Sequence, residues 1–360
     1  MNARDKPSVP LAAVREEIRA RPGYHVPDSA GFVKLDAMEN PYGLPRELKR
    51  RLAGLVAEAA LNRYPDAQGR ELKAALRGAL KVPQGMELVL GNGSDEIIQM
   101  LALAVAKPGA VLLAPEPSFV MYRIVAQATG MQYVGVPLVD GYALDRASML
   151  AAIGRHDPAL IFVAYPNNPT GNLFDAAAIE DILHAAKGLV VVDEAYHAFA
   201  RASFMDRLPD YGNLLVMRTL SKLGLAGLRI GLMAGAPELI AEIDKVRLPY
   251  NVGVLTQLVA IEVLRHSEVL EAQAAAIVAE RGRVAKALAA MPGVAVYPSA
   301  ANFILFKLPE AARVSAGIRQ QGVLVKNFDG SHPQLAGCIR VSIGTPPQND
   351  LFLAALTASM

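Results

Sequence analysis

Cysteine is almost missing from this chain of 360 residues, which carries one, Cys338. A single thiol excludes an internal disulfide framework or a cysteine-based metal cluster within one chain, and it fits a reducing, cytoplasmic setting. Excess charge is missing too. The 36 basic residues face 34 acidic ones, and a net +2 gives no electrostatic case for nucleic acid or a membrane surface as partner. No apolar run approaches the roughly eighteen residues of a membrane span. The six histidines form no H-E-x-x-H or related helical pairing, so no catalytic metal is expected. The first thirty residues mix Arg, Glu, Pro and Asp without an apolar core, unlike a signal peptide. These exclusions leave a globular protein whose partners are small molecules.

The length suits a large domain joined to a smaller one. Short β-branched runs at 88–90, 111–114, 133–136, 160–164, 189–193 and 214–218 alternate with amphipathic stretches such as 95–106 and 176–186. That alternation predicts an α/β, doubly wound core, a mostly parallel sheet between helices. After Pro249 the pattern changes to a long Ala- and Leu-rich helical segment from Leu255 to about Leu288. Spaced strands follow at 294–297, 303–307, 323–325 and 339–343, a smaller α+β domain. The expected divisions are an arm at 1–30, a large domain at 31–250 whose first part packs with the small domain, and a linking helix with small domain at 251–360.

Three segments carry chemistry. Gly91-Asn92-Gly93-Ser94-Asp95-Glu96 stands where a strand ends and a helix begins. Glycines let the backbone close on an anion, and a helix start offers free N–H groups and a favourable dipole, so a phosphate would sit there. The alternative is a tight turn with Ser94 or Asp95 as helix cap. Glu96 stands where a dinucleotide fingerprint needs glycine, and no lysine makes the segment a P-loop. The second segment runs from an apolar strand into Asp193-Glu194-Ala195-Tyr196. In open α/β sheets ligands bind beyond the carboxyl ends of strands, so Asp193 points into the expected crevice unless it merely caps a helix. A carboxylate there can keep a pyridine nitrogen protonated. The third, Thr219-Leu220-Ser221-Lys222, follows a strand and precedes a glycine-rich turn and Leu228-Arg229-Ile230-Gly231. Taken alone Lys222 is an ordinary solvated charge, but a lysine whose pKa falls on burial can form an imine with an aldehyde. Ser221 and Arg229 could bind a phosphate beside it.

In this order, with Tyr165-Pro166-Asn167-Asn168-Pro169-Thr170-Gly171 after the first, these segments resemble the fold-type-I, aspartate-aminotransferase-like superfamily of pyridoxal 5'-phosphate (PLP) enzymes. The resemblance runs from about Glu39 to Gly344. It implies a large domain with a seven-stranded sheet and a smaller C-terminal domain. It also implies roles: Lys222 as the Schiff-base lysine and proton shuttle, Asp193 on the pyridine nitrogen, and Asn168 with Tyr196 on the ring hydroxyl. Gly93, Ser94, Ser221 and Arg229 would hold the phosphate, with Asp95 and Thr219 also at the coenzyme. Phe119 falls where relatives often place a stacking tyrosine, which keeps the aromatic face and drops the hydroxyl. The interval from Lys222 to Arg229 is one residue shorter than the commonest family spacing.

Five segments in family order narrow the resemblance to the histidinol-phosphate aminotransferases: Glu39-Asn40-Pro41-Tyr42-Gly43, Asn62-Arg63-Tyr64-Pro65-Asp66, the Gly91-to-Glu96 segment again, Leu248-Pro249-Tyr250-Asn251, and the stretch from Gly337 to Thr345. That resemblance implies amino transfer between L-histidinol phosphate and 2-oxoglutarate, within histidine biosynthesis. Both amino-group carriers are anionic and must share a pocket. Arg340 is the expected clamp, because guanidinium pairs bidentately with carboxylate or phosphate. Tyr24, Asn40 and Lys326 are further candidate substrate contacts. Tyr64 and Tyr250 resemble residues that reach into a neighbouring subunit's site, which implies a homodimer with shared active sites. An aromatic-amino-acid aminotransferase or a phosphothreonine decarboxylase would share every coenzyme residue. A PLP-binding regulator would need a helix-turn-helix domain that the short arm cannot supply.

Overall fold

The computed structural model describes residues 9–20, 23 and 28–360. In chain order the described strands are β1 (Val33–Lys34), β2 (Glu87–Asn92), β3 (Val111–Glu116), β4 (Gln132–Pro137), β5 (Leu160–Ala164), β6 (Leu189–Asp193), β7 (Leu214–Thr219), β8 (Ile230–Gly235), β9 (Ala295–Val296), β10 (Phe303–Lys307), β11 (Val323–Leu324), β12 (Lys326–Asn327) and β13 (Cys338–Ser342). Seven of them form one sheet in the order β2-β8-β7-β6-β5-β3-β4. β7, β6, β5, β3 and β4 run parallel, and β8 is antiparallel to both of its neighbours.

The central strands are apolar without interruption because both faces of the sheet are covered. Along β5 the side chains alternate: Ile161 and Val163 enter a core with Ile179 and Ile182, while Leu160 and Phe162 enter another with Ile97, Leu101 and Tyr122. The helices Ser94–Val105 and Ala176–Ala185, the crossovers expected from the sequence, thus lie on opposite faces.

β12, β13, β10 and β9 form a second, antiparallel sheet, and β1 pairs parallel with β11 through Val33 and Val323. The first described strand therefore folds with the C-terminal part of the chain. Leu35, Phe303, Phe306 and Phe352 share the core of this smaller unit with Ile277 and Val284.

Two features depart from the sequence pattern. β8 carries no β-branched run, and it lies inside the sheet as an antiparallel strand between β7 and the edge strand β2. The helical segment expected to be continuous is two helices, Val254–Leu264 and Ser267–Ala289. His266 leaves helical geometry between them, at φ −120° and ψ 40°. The first helix packs on Arg70–Leu80 of the large unit and the second on Pro346–Ser359 of the small one, so the break redirects the chain. No described helix is long and apolar enough to cross a membrane.

Candidate active site

The parallel strands β5, β6 and β7 end side by side, and the start of the helix Ser94–Val105 faces the same crevice. Around one cavity stand Ser94, Asp95, Phe119, Asn168, Asp193, Tyr196, Thr219, Ser221, Lys222 and Arg229, with Met38 and Pro166 also in the wall. Residues from six separated segments are brought together at the place where open α/β sheets bind ligands.

Lys222 projects from the turn after β7, and its Nζ donates to the carbonyl of Ala37 at 3.1 Å. Burial lowers its amine to about 8; the Arg340 cation pushes the same way, while Glu39 and Asp95 oppose. Asp193 closes β6 and is buried, which pushes its carboxyl up to about 6. Hydrogen bonds oppose that rise: the Tyr122 hydroxyl donates to Oδ2 at 2.6 Å and the Ala195 N–H to Oδ1 at 3.0 Å. Tyr196 is buried edge-on to Phe303, ring centres 5.1 Å apart, and burial raises its hydroxyl pKa.

Part of the cavity wall is built for an anion. Gly93 precedes the helix in the left-handed half of conformational space, φ 84°, and no side chain caps the helix N-terminus. The Arg229 guanidinium lies against Gly93, where a side chain would collide with it, and its Nη1 donates to Ser221 Oγ at 3.0 Å. Arg229 Nη2 also stands 3.6 Å from Asp95 Oδ2. Arg229 itself has φ 52°, and the tight turn Ser221–Leu225 precedes it. This backbone absorbs the shortened interval and brings Arg229 beside Ser221. Gly231 of β8 touches the same turn: a Cβ there would sit 2.5–2.6 Å from the backbone of Gly93 and Ser94. Thr219 Oγ1 donates to the Ile230 carbonyl at 3.0 Å and accepts from the Ser221 N–H at 3.1 Å, so it fixes the turn. An amine nucleophile and a cradle of N–H, hydroxyl and guanidinium donors in one cavity fit the aldehyde and phosphate of PLP.

A wider groove of about 790 Å³ shares Met38, Phe119 and Asn168 with this cavity and is lined further out by Lys326, Phe328 and Arg340. Arg340 and Lys326 are register partners on β13 and β12. Arg340 is buried, donates to Asn168 Oδ1 and, at 3.0 Å, to the Asp36 carbonyl, and lies 5.2 Å from the ring centres of both Phe303 and Phe328. Lys326 is exposed.

Other expected contacts lie elsewhere. Asn40 donates to the Leu223 carbonyl at 3.0 Å and to Gln273 Oε1 at 2.9 Å. Its amide braces the loop after Lys222, outside the lining of either cavity. Tyr64 and Tyr250 stack on each other, centres 4.4 Å apart, and also stand outside both linings. Tyr24 falls outside the described residues. The sequence reading gave no role to Tyr122, although it follows Phe119 by one helical turn, nor to Glu194, whose buried carboxylate pairs with Arg218 at 2.8 Å.

The model of the aminotransferases of class I and II matches residues 30–356. The chain belongs to this family. It is 55% identical over 359 residues to histidinol-phosphate aminotransferase 2 of Cupriavidus pinatubonensis, with 98% of each chain covered. It is 56% identical over 352 residues to histidinol-phosphate aminotransferase 1 of Ralstonia nicotianae, covering 96% of this aminotransferase and 94% of that one. Among solved structures, the histidinol-phosphate aminotransferase from Sinorhizobium meliloti in complex with pyridoxal-5'-phosphate superposes with a TM-score of 0.85 at 25% identity, covering 96% of this chain and 97% of that one. L-threonine-O-3-phosphate decarboxylase from Porphyromonas gingivalis shares the fold, with a TM-score of 0.76 at 21% identity over 90% of this chain and 98% of that one.

Proposed function

We propose that this aminotransferase uses PLP to move an amino group reversibly between L-histidinol phosphate and 2-oxoglutarate, giving imidazole-acetol phosphate and L-glutamate in L-histidine biosynthesis. The observation that carries the chemistry is Lys222, an amine lowered to about 8 in one cavity with a buried carboxylate and an anion cradle. The substrate follows from the relatives at 55% and 56% identity, both named for histidinol phosphate.

PLP, when bound, supplies an aldehyde that condenses with amines and a ring that accepts the electron pair left by a departing α-proton. The chain's own residues do the rest. Lys222 would anchor the coenzyme through Nζ, and with a depressed pKa the freed amine can take the α-proton and return it. Asp193 would keep the ring nitrogen protonated. Tyr196 and Asn168 would hold the ring hydroxyl, and Phe119 would cover a ring face. The N–H groups at Ser94, with Ser221 and Arg229, would bind the phosphate. Arg340, with Lys326 beside it, would clamp the substrate anion, phosphate in one half-reaction and carboxylate in the other.

A cytoplasmic homodimer is part of the same reading. Leu61, Tyr64, Leu248 and Tyr250 are exposed large apolar residues that a second subunit would cover, and the two tyrosines would reach its site. The visible absorbance of the bound coenzyme tests the substrate. L-histidinol phosphate is expected to bleach it at concentrations where L-phenylalanine and O-phosphothreonine do not. Equal or better turnover of phenylalanine would overturn the substrate assignment.

A further inference from the structure

We infer that Tyr122 is a positioning residue for the coenzyme, holding Asp193 turned and ionised through its buried hydroxyl, and that it thereby sets the lowest pH at which the coenzyme ring is retained. The inference rests on the PLP reading of the cavity. Tyr122 sits on the helix Met121–Ala128 and is fully buried. Its ring stacks on Phe162 of β5, centres 4.4 Å apart and planes within 7°, and Phe119 meets it edge-on at 5.6 Å. Two aromatic contacts from separate elements leave the ring one place to be, and there the hydroxyl donates to Asp193 Oδ2 at 2.6 Å.

The remaining geometry of Asp193 shows what that bond decides. The Ala195 N–H donates to the other oxygen, Oδ1, at 3.0 Å, so each oxygen has a protein donor and keeps further accepting capacity for a ring N–H. The charged groups acting on the carboxyl are Asp95, from the helix facing it, and Glu194, next in the chain; both make ionisation harder. Tyr196 and Tyr133 are the other titrating groups acting on Tyr122, while Lys222 lines the same cavity and Arg340 acts on Tyr196. Burial and the Asp193 charge push the Tyr122 hydroxyl well above its ordinary value, so it stays a protonated donor throughout the working range. With burial already lifting Asp193 to about 6, loss of the donor lifts it further. A carboxyl is charged above its pKa and neutral below, and a neutral Asp193 cannot hold a protonated ring nitrogen. Removing the hydroxyl therefore moves the acid limit of coenzyme retention upward, by about one to two pH units for a hydrogen bond to a charge.

The test is the Kd of PLP for the coenzyme-free full-length protein, measured between pH 5 and 9 for the wild type, Tyr122→Phe, Asp193→Asn and the double variant. Tyr122→Phe keeps both ring contacts. It is expected to bind within a few fold of wild type at pH 8.5 and at least tenfold more weakly at pH 6, with the acid limb moved up. In the Asp193→Asn background the same change should cost less than twofold, because Tyr122 acts through that carboxylate. An acid limb that stays in place, or a loss undiminished in the double variant, overturns the inference. If Tyr122→Phe does not fold, 3-fluorotyrosine at position 122, a stronger donor, should move the limb to lower pH, and an unmoved limb is again contrary. A wild type that fails to bind PLP at any pH overturns the coenzyme reading as well. Wild-type binding indifferent to position 122 overturns this inference alone.

Discussion

Arg218→Met should destabilise the protein in a way that grows with pH. Arg218 and Glu194 are 6% and 0% exposed; Arg218 Nε donates to Glu194 Oε2 at 2.9 Å, and Nη2 stands 2.8 Å from the same oxygen as an ion pair. Its remaining N–H groups reach the Leu80 carbonyl at 3.0 Å and Ser203 Oγ at 2.8 Å. Even with these partners, burial holds the Glu194 carboxyl above its usual range. Taking the guanidinium away strands a buried charge, which costs about 3–5 kcal/mol. A carboxyl raised in the folded state contributes stability that is present below its unfolded pKa and lost as pH rises through its folded one. In the variant the folded value rises further, so the deficit should be small near pH 5 and full above neutrality. Urea unfolding of coenzyme-free protein at fixed concentration, at pH 5 and pH 8, measures it. Arg218→Met with Glu194→Gln should recover much of the loss at pH 8, since a neutral amide needs no counter-ion. Equal deficits at both pH values, or no recovery in the double variant, would refute the reasoning.

Three further outcomes are expected. Arg340→Lys replaces a planar fork with a point charge, and losing a charge-assisted bond of about 1.5–3 kcal/mol should lower kcat/KM roughly tenfold to a hundredfold for both anionic substrates; steady-state kinetics would show it. Gly231→Ala drives a Cβ into the Gly93–Ser94 backbone, and overpacking of about 1–3 kcal/mol should appear as weaker PLP binding in equilibrium dialysis. With the Lys222 amine near 8, its neutral fraction grows as pH rises through that value, so the rate at which added PLP attaches should climb between pH 7 and 9. A rate flat over that interval in stopped-flow absorbance would contradict the environment described for Lys222.

The parts of the fold legible in the sequence are those decided locally. The unbroken apolar runs at 160–164 and 189–192 mark strands buried on both faces, and the glycines before Ser94 mark the helix start that faces the cavity. β8 escaped because Gly-Leu-Met-Ala-Gly shows neither alternation nor a β-branched run, and its place depends on β2 and β7. The turn at His266 has no Gly or Pro to announce it. Packing of two successive helices on different units produces it, as packing also joins β1 to β11 from opposite ends of the chain. In the cavity, motif order points to the segments without fixing what each side chain touches. Asn40 stands in such a motif, yet its amide braces the Lys222 loop; Tyr122 was passed over because its partner Asp193 lies 71 residues away.

The central claim is that one amine of this chain anchors the coenzyme. Borohydride reduction of the PLP-loaded protein, followed by digestion and mass spectrometry, tests it most directly. A single phosphopyridoxyl-modified peptide carrying the label on Lys222, and none in Lys222→Ala, is the predicted result. Label on another lysine, or no label at all, would contradict the account.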